Sequence, residues 1–549
     1  MKIDLKIQNL SLKLNSGAKG VYLPLGESYL VISNFSSKFF GLNWKEYKIL
    51  DFNNIFPLKK VKIAGNELII DNVSLKFEKN KLTISNYIPI FIDLRHLYDI
   101  NPFNRKYNIK EERKEENKEK EFILNSGILN LRFKGDFKLV NKEKVDHLLK
   151  NNIILNYSKD EKGFYWIERE YSFDKRRKDN YKWYVLYLFD FKGKIIFPFE
   201  FKDKEKELNN AIKGEIQGII RKFQNNNLKI AFLLAIRNIL DKQVGRPWFF
   251  QEWKRDFLVS LDAFYLFDKE FVKDKLMNYF LELLNENNFH TDEKYLLLAR
   301  LIDFWHLFDE KEKSFIKNKI FNLEFSVPIY NLKGDTWMDS IDREGISIEI
   351  QFYAHKFFKF FENEEREFYY LRKSLEKEIK KFLFNDFILD NLNNYEIRPN
   401  FLLAWYFNKE LFENKFLDYI MNNLKQLLLD WGGLTTISFC YPLHYKVHTG
   451  IDSKSYHNGD SWYYLNNIAA YLFLNFYKEN RGKSIAKFLK KEALKIINAS
   501  LNDLFNQFIF GAHSEISSAY KQESLGCFDQ LWSNATLIIA LKELAELME

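Results

Sequence analysis

Only two of the 549 residues are cysteine, Cys440 and Cys527. That is too few for a disulfide framework or a cysteine-ligated zinc site, and it fits a reducing interior. Long apolar runs are missing as well. The longest, residues 230–240, is too short to span a bilayer and contains Arg237. The opening MKIDLKIQNLSL alternates like a strand and lacks the apolar core of a secretory signal. A soluble, cytoplasmic protein with no membrane association is therefore expected. Charge of one sign is scarce: 83 Lys+Arg against 75 Asp+Glu leave a net +8. The densest charged run, residues 110–121, mixes signs, so nucleic acid is not an expected partner. No G-x-x-x-x-G-K-[ST] or G-x-G-x-x-G phosphate loop, H-E-x-x-H pair or G-x-S-x-G elbow occurs. The nearest histidines, His444 and His448, stand in a Pro/Gly-bearing loop with no acidic or cysteine residue beside them. No metal and no organic cofactor is expected.

What the chain does have is aromatic residues: 54 Phe, 30 Tyr and 11 Trp, 17% of the total. With 46% hydrophobic residues it can bury a sizeable core. Its periodicity changes near residue 200. Before that point short alternating segments (21–33, 67–77, 81–90, 128–139 and 181–197) are punctuated by Gly, Asn and Asp, the pattern of antiparallel sheet. Residues 1–200 are read as a β-sandwich-like domain. From residue 203 the period becomes helical, with about a dozen candidate helices, among them 228–240, 251–267, 293–308, 345–361, 400–407, 460–477 and 527–547. No repeat of 30–45 residues is visible, which disfavours an open solenoid. Residues 201–549 are read as an (α/α) toroid whose loops at one end form a pocket.

Four segments crowd tryptophan, carboxylates and histidine next to helix starts. PWFFQEWKRDFLVSLD (247–262) brings Trp253, Arg255 and Asp256 together; a ring packing on a sugar face, with Asp256 accepting sugar hydroxyls and Arg255 orienting that carboxylate, is one reading. Acids capping a helix N-terminus is the other. GDTWMDSIDREGISIEIQ (334–351) holds Trp337, Asp339 and Glu349; a carboxyl beside indole rings loses hydration and keeps its proton. The plainer alternative is a polar loop whose acids cap the next helix. YHNGDSW (456–462) supplies His457 and Trp462, and the closing segment 513–532 supplies Glu515, Gln530 and Trp532. A glycosidase needs two separated carboxylates, usually from different loops, which this layout permits.

Taken in order, these segments resemble the C-terminal α-1,6-glucosidase domain of glycogen debranching enzymes, one of the glucoamylase-like (α/α)6-barrel glycosidases. The resemblance runs across residues 247–535 through EWKRDFLVSLDAF, GDTWMD, EGISIEIQ, IRPN, GGLTTIS, YHNGDSW, SEISS and GCFDQLWSNA. It implies an N-terminal β-sandwich followed by an (α/α)6 barrel, and inverting release of glucose from α-1,6 branch points of glycogen-like glucans or limit dextrins. It also implies Asp339 as general acid and Glu515 as general base. Trp253, Arg255, Asp256, Trp337, Glu349, His457 and Trp462 fall at positions resembling the family's glucose-binding wall, with Gln530 and Trp532 supporting the closing loop. Three departures stand out: Phe401 where the family has Gln, Thr435 where it has Arg, and Asn458 where it has Gln. The stretch between Asp339 and Glu349 is also shortened. Three other readings stand beside the debranching one: a glucoamylase- or trehalase-like α-glucosidase, a phosphorylase on a related toroid, and a non-catalytic carbohydrate-binding protein.

Overall fold

The computed structural model describes residues 10–13, 19–33, 40–52, 60–97, 108–112, 121–125, 129–159, 161, 165–170, 182–285 and 289–548. Most of the N-terminal segment 1–12 and of the charged run 110–121 lies outside them. The chain has an N-terminal β-rich region and a C-terminal helical region, as the change of period implies. It divides into two units. The first comprises Met1–Asn210, Leu240–Lys242 and Leu504–Ala512; the second holds Ala211–Ile239, Gln243–Asp503 and His513–Glu549.

Among the described residues of the first unit, sixteen strands form one branched hydrogen-bonded network. The long strand Lys81–His96 pairs antiparallel with Val73–Glu78 along its first half and with Tyr47–Asp51 along its second. A second long strand, Lys182–Ile196, pairs with it as well. Leu75, Phe77, Leu82 and Ile84 are buried and alternate with more exposed neighbours, as the two-residue period of a strand with one apolar face requires. Gly20–Leu25 and Ser28–Ser33 are instead buried along their whole length. The region also contains a helix that alternation did not announce, Lys142–Lys150. Asn141 caps it, and its buried residues Val145 and Leu148 pack on Phe91, Ile167 and Leu188. Far along the chain, Ile509–Phe510 returns to pair in parallel with Gly20–Leu25.

In the second unit six helices close into a ring. Lys254–Tyr265 packs on Thr291–Asp303, which packs on Ile348–Phe361, then Phe401–Phe407, Tyr463–Glu479 and Leu531–Glu546, and the last returns to Lys254–Tyr265. Other helices flank this ring: Asn226–Ile239 lies on Leu531–Glu546, Lys269–Asn285 on the first two members, Arg366–Ile379 on the third and Lys409–Leu427 on the fourth. Composition explains the arrangement. In Leu531–Glu546 every residue but Lys542 and Glu546 is buried, as expected of a helix enclosed on all sides. In Lys269–Asn285 only Val272, Leu276, Tyr279 and Phe280 are buried, the single stripe of a helix with one covered face. Phe401 belongs to the enclosed set, buried and stacked on Phe412, so the departure from Gln at this position places an apolar ring in the core.

Candidate active site

The starts of all six ring helices carry polar or aromatic residues, and contacts between them show that they share one end of the ring. Trp253, His290, Ser347, Asn400, Trp462 and Gln530 immediately precede the six helices in turn. Arg255 in the first helix reaches Asp292 in the second, with Nη2–Oδ1 2.9 Å and Nε–Oδ2 2.8 Å. Gln530 Nε2 donates to Asp256 Oδ1 at 3.2 Å, joining the sixth to the first. The Trp337 indole N–H donates to Asn400 Oδ1 at 2.8 Å, joining the loop before the third helix to the fourth. Helix starts leave backbone N–H groups unpaired and carry partial positive charge, so this end is suited to oxygen-rich ligands.

Three of the four tryptophans singled out in the sequence meet there. Trp337 sits edge-on to His457 (5.3 Å between centroids), Trp462 (5.3 Å), Tyr464 (5.2 Å) and Trp532 (6.4 Å). His457 stacks flat on Trp462, and Tyr464 stacks on Trp532 at 4.0 Å. Trp253 packs edge-on to Phe249.

The two candidate carboxylates differ in setting. Glu515 is 2% exposed. The Tyr456 hydroxyl donates to its Oε1, and the Cys527 backbone N–H donates to its Oε2 at 2.8 Å. Burial pushes its carboxyl up to about 7, while both of those donors oppose the rise by favouring the charged form. Asp339, by contrast, is exposed. Lost hydration raises its carboxyl above the usual range; Arg255 pulls it down and Asp292 pushes it up. One hydrogen-bonded path joins the two loops. Ser340, next to Asp339, contacts His457 Nδ1 at 2.7 Å, and Tyr456, next to His457, holds Glu515.

His457 has an assignable tautomer. The Ser340 hydroxyl donates to the Asp452 carbonyl at 2.8 Å, so its single hydrogen is engaged and Nδ1–H of His457 donates to it. Burial, with Arg398 next in weight, holds this ring's pKa well below its ordinary value. The imidazole is therefore neutral, and Nε2 is a buried acceptor without a protein partner. The indole nitrogens of Trp253 and Trp532 are likewise buried and unpartnered. Buried polar atoms are almost always satisfied, so unpaired ones at the site end of the ring point to a hydrogen-bonding ligand.

Arg255 departs from the pairing expected of it. Arg255 does not orient Asp256; its partner is Asp292. Adjacent helical residues point about 100° apart and cannot face each other, whereas Asp292 approaches from the next helix of the ring. Asp256 is 6% exposed, and burial raises its carboxyl well above the ordinary value against the opposing pull of Arg255. Glu349 is 1% exposed, with its oxygens 2.8 and 3.0 Å from Nη1 and Nη2 of Arg343. Arg343 also forks onto Asp390 at 2.8 and 2.9 Å, and Asn400 Nδ2 donates to Asp390 Oδ1 while its Oδ1 holds Trp337. This buried network braces the Trp337 indole.

Several site residues escaped the sequence reading: Asp292, Arg343, Asp390, Arg398 and Tyr456. Arg398, in IRPN, donates to the His457 carbonyl at 2.5 Å and to Asn458 Oδ1 at 2.8 Å, so the shorter amide at 458 has a defined partner. Thr435 is buried and donates to the Gly459 carbonyl at 2.9 Å. Of these, Arg343, Arg398 and Tyr456 carried a signal, their places in the 334–351, IRPN and YHNGDSW segments.

Comparison with known proteins adds to this geometry. Residues 330–539 match the amylo-alpha-1,6-glucosidase family model. That span holds Asp339, Glu515 and every candidate site residue except Trp253, Arg255 and Asp256. A bacterial glucoamylase solved with acarbose superposes over 97% of this chain and 86% of its own, at 9% identity and a TM-score of 0.52. A glucoamylase from Saccharomycopsis fibuligera covers 60% of this chain and 96% of its own at 12% identity and a TM-score of 0.40. No curated protein matches the chain significantly. The family match and the glucoamylase-like fold support a glycoside hydrolase. No helix among the described residues is long and apolar enough to cross a membrane.

Proposed function

We propose that this protein is an inverting glycoside hydrolase that releases glucose from α-1,6 branch points of glycogen-like glucans or limit dextrins, on an (α/α)6 barrel formed by the closed ring and its flanking helices. The observation that carries the reading is the linked pair of raised carboxyls, Asp339 and Glu515, both inside the segment matching the amylo-alpha-1,6-glucosidase model. Asp339 donates a proton to the glycosidic oxygen as the C1–O bond breaks. Glu515, ionised with the help of Tyr456 and Cys527, takes a proton from the water that attacks C1 from the opposite face. The product leaves as the β-anomer. Inverting pairs stand about 6.5–9.5 Å apart to admit that water. His457 Nε2 accepts from a sugar hydroxyl, and the Trp253 and Trp532 indoles donate to sugar oxygens. No step requires a metal or an organic cofactor.

The test is a substrate panel (branched limit dextrin, linear α-1,4 glucan and α,α-1,1 trehalose) with released glucose quantified and its first-formed anomer read by proton NMR. β-Glucose from the branched dextrin with little from the other two is expected. Preference for the α-1,4 or α-1,1 substrate would overturn the linkage, and α-glucose would overturn the mechanism.

A further inference from the structure

The structure assigns Gly526 as a positioning residue for Glu515: the space where a side chain at 526 would stand is filled by the Glu515 carboxylate. This assignment rests on reading Glu515 as the general base. A Cβ at Gly526 would lie 2.3 Å from Glu515 Oε2, 2.9 Å from its Cβ and 3.1 Å from its Cδ. Gly526 has φ +68°, a conformation glycine adopts without strain. Neither partner has room to retreat. Glu515 N–H donates to the Cys527 carbonyl at 2.9 Å, and Cys527 N–H returns a bond to the carboxylate. On the other side Ile516 and Leu525 exchange backbone bonds at 3.3 and 3.0 Å. The segment carrying Glu515 is therefore clamped to residues on both sides of Gly526. The other carboxylate oxygen is held by Tyr456, and the side chain is buried. Any larger residue at 526 must push the carboxylate off these donors and away from the attacking water.

The decisive variant is Gly526→Ala. Displacing a reacting group by about 1 Å costs on the order of 100-fold in rate. We therefore expect kcat on branched dextrin to fall by about 100-fold, with KM changing less than about 3-fold. α-Glucosyl fluoride separates loss of the base from loss of the acid, because fluoride leaves without being protonated while the attacking water still needs its base. Asp339→Asn should recover on the fluoride; Gly526→Ala should be impaired there as badly as on dextrin. Gly214, at φ +60° with nothing within 4 Å of its added Cβ, is the control for backbone strain, and Gly214→Ala should keep wild-type rates.

A thermal unfolding comparison reads the contact itself, without relying on activity. Gly526→Ala should lower Tm less in a Glu515→Ala chain than in the unaltered chain, by about 3 °C or more, because the colliding carboxylate is gone. If Gly526→Ala fails to fold alone, the double variant should fold. Equal losses in both backgrounds, failure to fold in both, or wild-type kcat in Gly526→Ala would overturn the assignment. Full activity in Glu515→Gln would instead remove the base role on which it rests, while the unfolding comparison would still report the contact.

Discussion

Replacing Tyr456 by phenylalanine should move the acidic limb of the pH–rate profile upward. The hydroxyl donates to Glu515 Oε1 and favours the ionised carboxylate against burial. A hydrogen bond to a charged group contributes about 1.5–3 kcal/mol, and about 1.4 kcal/mol corresponds to one pKa unit, so its loss raises Glu515 from about 7 by about 1–2 units. A base must be ionised, so kcat/KM falls about tenfold for each pH unit below its pKa. Tyr456→Phe should therefore lie about 10–100-fold below wild type at pH 6, and the deficit should close as pH rises. The phenylalanine ring keeps the packing of Tyr456 on Trp462 (4.7 Å) and His457 (4.8 Å), so the wall stays in place. The assay is kcat/KM for glucose release from branched dextrin across pH. A uniform loss at every pH, with the limb unmoved, would refute electrostatic control by Tyr456. A shift of the alkaline limb instead would make Glu515 the acid.

Three further outcomes follow from the same contacts. The folded-state pKa of Glu515 is raised from 4.5 to about 7, so the protonated side chain's stability is fully present below pH 4.5 and is lost as pH rises through 7. Glu515→Gln should therefore be more stable than wild type above pH 7, by up to about 3 kcal/mol in chemical unfolding, and show no such advantage below pH 4.5. Arg343→Met leaves Glu349 without its cation and Asp390 with only the 3.9 Å contact to Arg398, and should destabilise the fold by about 3–5 kcal/mol, read by the same measurement. Trp253→Phe removes an indole N–H that has no protein partner, so KM for dextrin should rise about fivefold, the equivalent of about 1 kcal/mol, with Tm essentially unchanged.

The division into β-rich and helical regions was legible because each period is carried by many residues. Leu75, Phe77, Leu82 and Ile84 alternate, and Leu531–Glu546 in the ring is buried on nearly every face while Lys269–Asn285 outside it carries one stripe. Lys142–Lys150 was not legible, since two buried residues in nine give too weak a stripe to interrupt a run of strands. Ile509–Phe510 was not either, because two residues display no period. Within the site, helix-start tryptophans and acids marked the segments, but not which side chains pair. Arg255 meets Asp292 across 37 residues, and Arg343 meets Asp390 across 47. Such pairings depend on how successive ring helices stand side by side, which no local pattern encodes. Trp337 carried its own signal, yet the Asn400–Asp390–Arg343 chain that fixes its ring became visible only in three dimensions.

The central claim is that Asp339 and Glu515 act as a catalytic pair on an α-1,6-linked glucan. Glucose release from a branched limit dextrin by the wild-type protein, Asp339→Asn and Glu515→Gln tests it most directly. Acid and base catalysis each contribute about 100–10,000-fold, so both variants should lose activity in that range while retaining the wild-type fold. Full activity in either variant would contradict the account.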